Sequence, residues 1–190
     1  NTSWDQAQFE VPAHRFCDMS EPGFGVALLN DAKYGHSAKG NVLGLSLVRG
    51  PVYPDPLADE GGQRFTYSLY PHTGDWHDGR VREEAEDLNQ PLLGATASGV
   101  HNFAETLLST DGISAALSAL KVAEDGDGLI LRVYEPAGRR GDFAPEPPAG
   151  WSVSEPLNIL EEPMDRGDGA GLRPFEMRTW RLTRAAAGGG

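Results

Sequence analysis

The polar segment from Asn30 to Gly40 carries side chains that could bind a ligand through hydrogen bonds. It lies between a nearly continuous apolar run, Phe24–Leu29, and an alternating run, Val42–Val48. These two patterns predict strands on either side of a polar loop. Because ligand-contacting side chains concentrate on loops held by rigid elements, this loop is our first candidate binding surface, and the alternative is a simple connection. Its first seven positions contain Asn30, Asp31, Lys33, Tyr34 and His36.

A second polar loop contains residue types that can bind a metal ion: His72, Asp75, His77 and Asp78. Two histidines five positions apart in an irregular loop lack the fixed geometry of a helical pair four apart. The favoured interpretation is therefore a solvated polar turn, with a metal site as the alternative. Cys17 falls in a candidate strand, where a lone cysteine is usually packed.

Motifs of common hydrolases are missing from the chain. The sequence contains no GxSxG, no HExxH and no phosphate-binding loop. Carboxylates are available, but a glycosidase needs two of them across a cleft at a defined separation, which the sequence does not reveal. We assign no catalytic residue and no metal ligand.

Short alternating segments dominate the pattern of apolar residues. One helix is indicated, with Val81, Ala85 and Leu88 on a narrow apolar stripe and Pro91 after its end. Many short strands with one surface helix predict an all-β fold, a β-sandwich. The predicted strands are Gln8–Val11, His14–Met19, Phe24–Leu29, Val42–Val48, Arg64–Tyr70, Phe103–Leu108, Ile113–Ala123, Leu129–Glu135, Trp151–Val153, Leu157–Leu160 and Gly171–Thr183.

Composition limits the class of partner. The formal net charge of -12 argues against nucleic acid and against an anionic membrane surface. No apolar run approaches the roughly 20 residues of a membrane span, and a single cysteine excludes an internal disulfide. The chain starts without Met or a signal peptide and ends in an Ala- and Gly-rich stretch, so we expect a piece of a longer polypeptide.

Six segments together resemble one enzyme family. They occur in family order along nearly the whole chain: NTSWDQAQFEVPAHRF (1–16), GVALLNDAKYG (25–35), GNVLGLSLVRGPVYPDP (40–56), FTYSLYPHTGDW (65–76), LKVAEDGDGLILRVYE (120–135) and LRPFEMRTWRL (172–182). These segments are similar to the C-terminal β region of α-mannosidases of glycoside hydrolase family 38, in the branch with cytosolic and bacterial members. The resemblance implies a β-supersandwich over residues 1–184 and a tail over residues 185–190.

The resemblance also implies what the whole enzyme does. It implies a retaining exo-α-mannosidase of the cytoplasm that hydrolyses terminal α-mannosides, with a divalent metal, usually zinc, and the nucleophile in an N-terminal catalytic domain. This chain would hold neither group and would be inactive alone. Its implied partners are that catalytic domain of the same polypeptide and a mannose-containing oligosaccharide, with no nucleic acid and no membrane; a homo-oligomer is a further option.

The resemblance gives the first polar loop a role at the rim of the sugar pocket. Asn30 and Asp31 could hydrogen bond to vicinal hydroxyls and Tyr34 could stack on a ring, so the implied substrate-binding residues are Asn30, Asp31, Lys33, Tyr34 and Gly35. The alternative is a loop that only supports the domain interface. Two other functions stay open for the chain as a whole: a stand-alone carbohydrate-binding module, or a purely structural or oligomerisation domain.

Overall fold

The chain forms two compact units, residues 1–97 and residues 98–190. The computed structural model describes residues 2–94, 96, 98–99, 115–147, 149–164 and 171–184. The predicted strand Phe103–Leu108 and the predicted tail 185–190 lie outside the described residues. The assignment of residues 1–184 to one C-terminal domain stays a prediction.

The first unit contains two three-stranded antiparallel sheets, ordered β1–β4–β5 and β2–β3–β6. Its elements are α1 (Ser3–Gln6), β1 (Val11–Pro12), β2 (Phe16–Glu21), β3 (Phe24–Asn30), β4 (Gly35–Lys39), β5 (Val42–Leu45), β6 (Tyr67–His72) and α2 (Val81–Asn89).

Strand β3 is the centre of this unit. Its residues 27–30 are all buried, which explains why its sequence is continuously apolar and does not alternate. Ala27 and Leu29 pack against Val81 and Ala85, the buried positions of α2. The narrow apolar stripe predicted for this helix is therefore the surface that covers β3. Unlike α2, α1 has no counterpart in the prediction; a capping box between Thr2 and Asp5 closes its first turn.

The segment from Asn30 to Gly40 is not one loop, as predicted, because Gly35–Lys39 is strand β4. This strand pairs with β5 on one side and with β1 on the other. Strands β3 and β5 therefore do not flank a shared loop: β3 pairs with β2 and β6 instead. The polar composition of β4 hid it, since its buried side chain is His36 and not an apolar residue.

The second unit is built on a four-stranded antiparallel sheet, ordered β10–β12–β8–β7, with a two-stranded sheet of β11 and β9. The predicted hairpin of residues 113–123 and 129–135 is present over its described part, as β7 and β8. Predicted strand Leu157–Leu160 is wrong after Leu157, because residues 158–162 form a turn closed by the Asn158 side chain. The strands are β7 (Ala116–Val122), β8 (Leu129–Tyr134), β9 (Gly141–Asp142), β10 (Trp151–Leu157), β11 (Gly171–Leu172) and β12 (Met177–Arg184).

The core of the second unit lies on the central strands β8 and β12. Leu131 and Val133 of β8 pack with Trp180 and Leu182 of β12. Phe143 joins the same cluster from the segment between β9 and β10. The prediction of an all-β fold is confirmed. Within the described residues, no helix is long and apolar enough to cross a membrane.

Glu135, the residue after β8, is a buried carboxylate held by backbone N–H groups. Its Oε1 accepts from Ala137 N at 2.9 Å and its Oε2 accepts from Phe175 N at 3.1 Å. Burial raises the pKa of this carboxyl, but the N–H donors, which include Gly138 and Arg139, outweigh burial, so its pKa lies below the ordinary 4.5. The charged form therefore stabilises the folded state.

We expect Glu135→Gln to lower the free energy of unfolding at neutral pH by about 1–3 kcal/mol, because the amide –NH₂ faces buried N–H donors. A lowered folded pKa contributes stability above the unfolded pKa that is lost as the pH falls through the folded pKa. The difference between wild type and variant should therefore shrink below pH 4.5. Urea denaturation at neutral and acid pH measures it, with the exposed Glu124→Gln as control. A difference that does not change with pH would contradict this role.

Candidate functional site

The predicted site residues lie where the chain leaves β3 and enters β4, on one side of an open cleft. The cleft has a volume of about 590 Å³. Three of the five predicted residues, Lys33, Tyr34 and Gly35, line it, together with residues 46–49 that follow β5. The two sheets of the first unit position this segment, because β3 belongs to one sheet and β4 to the other.

Asn30 does not open to solvent. The residue is 1% exposed, and its Nδ2 lies 3.2 Å from Nε2 of His36. Its Oδ1 accepts a hydrogen bond from the backbone N–H of Lys33 at 2.7 Å. The backbone carbonyl of Asn30 accepts from Nδ2 of Asn89 in α2 at 2.9 Å. Asn30 therefore joins β3, the loop, β4 and α2.

Asp31 is an exposed carboxylate that the backbone of residue 66 holds in place. Its Oδ1 accepts from Thr66 N at 3.2 Å, and its own N–H donates to Thr66 O at 3.2 Å. The hydrogen bond from Thr66 lowers the pKa of the Asp31 carboxyl, and the nearby charge of Lys33 acts in the same direction. Asp31 is therefore an ionised acceptor at neutral pH.

Lys33 and Tyr34 present a cation and an aromatic ring at the cleft. Nζ of Lys33 lies 5.0 Å from the centroid of the Phe65 ring, within the range of a cation–π interaction. The Tyr34 side chain is 56% exposed, and its ring centroid is 4.9 Å from that of His14. An exposed aromatic ring can stack on an apolar face of a ligand.

Charges of both signs surround the cleft. Lys33 and Arg49 are the cations in its lining, and Glu10 and Asp59 are the anions. The Asp59 carboxylate is already engaged, since it accepts from the N–H of Gly50. Balanced charges do not favour a strongly anionic or cationic ligand. The side chains fit a neutral ligand with many hydroxyl groups better.

The residues of the second candidate site, near positions 72–78, have separate partners in the structure. Nε2 of His72 lies 2.8 Å from Oδ1 of Asp18 in a buried pair, whereas the ring centroid of His77 lies 3.4 Å from that of Trp76. Oδ1 of Asp75 accepts from the N–H groups of the next turn. Across the described ranges, no group of three or more His, Cys, Asp or Glu residues could hold a metal ion.

Two residues of the first site are outside what the sequence analysis assigned. His36 was noted in the polar loop but was not among the implied substrate-binding residues. It is 2% exposed and hydrogen bonded to Asn30. Asn89 lies 59 positions from Asn30, so no local pattern connects them. The sequence offered one signal for His36: it is the first residue of a short polar segment between Gly35 and Gly40.

We expect Gly25→Ala to destabilise the fold by about 1–3 kcal/mol, the usual cost of overpacking. Gly25 pairs with His72 across β3 and β6, and an added Cβ would meet the His72 ring, with Nε2 at 2.6 Å, and Ser20 Cβ at 2.8 Å. Gly62→Ala is the matched control, because nothing lies within 4 Å of its added Cβ. Urea denaturation followed by tryptophan fluorescence compares them, and equal midpoints would contradict the tight packing.

Comparisons with known proteins point to one enzyme family. Two family profiles match the chain: "Glycosyl hydrolases family 38 C-terminal domain" over residues 1–57 and "Glycosyl hydrolases family 38 C-terminal beta sandwich domain" over residues 114–180. The second description confirms the predicted β-sandwich class.

Relatives extend the likeness over nearly the whole chain. It is 47% identical over 190 residues to Alpha-mannosidase 2C1 of Homo sapiens, and 38% identical over 196 residues to Alpha-mannosidase G of Dictyostelium discoideum. Each alignment covers 96% of this chain and 18% of the relative, so the chain spans about a fifth of their length.

A solved structure shows the same fold. An alpha-mannosidase from Enterococcus faecalis V583 aligns with a TM-score of 0.73 at 22% identity, over 95% of this chain and 22% of that one. The resemblance noted in the sequence is confirmed: the chain belongs to glycoside hydrolase family 38 and corresponds to the C-terminal β domains of its α-mannosidases.

Proposed function

We propose that this chain is the C-terminal part of a retaining exo-α-mannosidase that hydrolyses terminal α-mannosides. The observation that carries the proposal is the 47% identity to Alpha-mannosidase 2C1 over 96% of the chain. A retaining glycosidase needs two carboxyl groups about 5–5.5 Å apart across the scissile bond. We assign that pair to the remaining part of the polypeptide, so that the 190-residue chain alone is inactive.

The contribution of this chain is to pack on the catalytic domain and to supply part of the sugar pocket. Asp31, Lys33 and Tyr34 are exposed or open to the cleft, and their groups match a sugar. The carboxylate accepts from vicinal hydroxyls, and the ammonium donates to ring or hydroxyl oxygens. The exposed ring of Tyr34 covers the C–H face of the sugar ring. Mixed charge around the cleft supports a neutral oligosaccharide as the ligand.

Zinc, which the family resemblance implies for the whole enzyme, does not fit the described residues of this chain. The histidine and carboxylate groups near residues 72–78 point to separate partners, and the described part of the chain offers no three-membered ligand group. We assign the metal to the catalytic part of the polypeptide and derive no step from it here. A cytoplasmic location stays a prediction, and so does a homo-oligomer.

The proposal is tested in the full-length polypeptide with an aryl α-mannoside. We expect Tyr34→Ala to raise KM about tenfold with kcat within about threefold, because the lost ring contact contributes to ground-state and transition-state binding alike. Tyr34→Phe keeps the ring and is the matched control, with KM close to wild type.

Two results would contradict the proposed role. An unchanged KM in Tyr34→Ala would remove the loop from the sugar pocket and leave it a domain support. Turnover by the 190-residue chain alone would show that the catalytic pair lies within it. Calorimetry of that chain with mannose separates a third case, because binding without turnover supports an independent carbohydrate-binding module.

A further inference from the structure

We infer that Asn30 and His36 are positioning residues, which act on the sugar through the loop they hold and not by contact. The inference rests on the proposed function, since it needs the segment from Asp31 to Tyr34 to reach the sugar. Asn30 and His36 are 1% and 2% exposed, so neither offers surface to a ligand. Their hydrogen bonds lead to the backbone on both sides of the exposed Tyr34.

The backbone carbonyl group of Tyr34 determines which atoms donate in the hydrogen bonds of His36 and Asn30. Nδ1 of His36 lies 3.3 Å from the backbone oxygen of Tyr34, which can only accept, so Nδ1 carries the hydrogen. In a neutral imidazole, Nε2 is then an acceptor. It faces Nδ2 of Asn30 at 3.2 Å, which donates.

The same assignment satisfies the other end of the Asn30 amide. With Nδ2 toward His36, Oδ1 faces the N–H of Lys33 and accepts at 2.7 Å. A flipped amide would place its –NH₂ against the N–H of Lys33, so two donors would face each other. One consistent series of hydrogen bonds therefore runs from Lys33 N–H through Asn30 and His36 to Tyr34 C=O.

This series fixes the loop because its buried members cannot exchange partners with water. Leaving a buried polar group unpaired costs about 1–3 kcal/mol, more than a typical exposed hydrogen bond contributes. The backbone at both ends is held further. Asn30 N–H donates to Arg15 O at 2.8 Å, and the Tyr34 carbonyl also accepts from Ala13 N at 2.9 Å. The exposed side chains of Asp31 and Tyr34 and the half-buried side chain of Lys33 are thus carried on a backbone that hydrogen bonds within the first unit hold in place.

Two substitutions at residue 36 separate the two hydrogen bonds of the imidazole. The side-chain nitrogen of His36→Asn occupies the place of Nδ1 and can still donate to Tyr34 O, but it cannot reach Asn30. The longer His36→Gln places its amide oxygen where Nε2 was and can still accept from Asn30. We expect the hydrogen bond between His36 and Asn30 to hold the loop in position, because it orients Oδ1 of Asn30 toward the N–H of Lys33.

In the full-length polypeptide, we expect His36→Asn to raise KM for an aryl α-mannoside about tenfold and His36→Gln less than about threefold, with kcat within about threefold in both. Hydrogen exchange gives a readout besides activity. The Lys33 amide should exchange at least about tenfold faster in His36→Asn than in His36→Gln. If His36→Asn fails to fold, Asn30→Ala removes the same support and is measured in both ways.

The control is His72→Asn, which removes a buried histidine of β6 that lies beside the other end of β3. Gly25 of β3 pairs with His72, whereas Asn30, at the far end of the strand, contacts His36. We expect this variant to lose stability without a change in KM. A rise in KM equal to that of His36→Asn would show general destabilisation and would overturn the inference.

The remaining outcomes distinguish this inference from the proposed function. If Tyr34→Ala raises KM but His36→Asn and His36→Gln behave alike, positioning by Asn30 is wrong and the sugar contact stands. If Tyr34→Ala leaves KM unchanged, the sugar contact is wrong, and faster Lys33 exchange in His36→Asn still supports internal positioning of the loop. Equal Lys33 exchange in the two His36 variants would overturn positioning in either case.

Discussion

The first unit depends on the burial of strand β3, a constraint that its neighbours have to satisfy. Strands β2 and β6 pair with its two edges, and α2 covers Ala27 and Leu29. Each end of the strand meets a buried histidine, one paired with Asp18 and one with Asn30. A central strand that is paired on both edges and covered by a helix on one face is a rigid base, so the loop that follows it starts from a fixed position.

Two periodic patterns of the sequence predicted the fold well. The alternation in Leu129–Tyr134 and the spacing of Val81 and Ala85 survive in the structure because those side chains form the cores of the two units. Strand β4 was not predicted because its buried side chain is the polar His36. Strand β9 was not predicted because its two residues contain no period, and its partner β11 lies about 30 residues further along the chain.

The candidate site was only partly accessible to sequence reasoning. Its exposed members are contiguous, so their side-chain types alone drew attention to the segment from Asn30 to Gly35. The difference between Asn30 and Asp31 could not be read in the same way. Both are small polar residues, but one points into the protein and the other meets the backbone of Thr66, 35 positions away. Such distant partners leave no mark on local periodicity, and the family resemblance carried no information about burial.

Strand β6 is an edge of its sheet, and Pro71 lies within it, opposite Val26. Proline has no N–H group, so it interrupts the row of donors that an edge strand offers to solvent. Tyr67 and Leu69 of the same strand are exposed, and an uninterrupted apolar edge would be a template for strand addition by another molecule. Pro71 therefore leaves a gap among the backbone donors on the outer edge of β6, which disfavours the addition of another strand there, while the opposite edge is paired with β3.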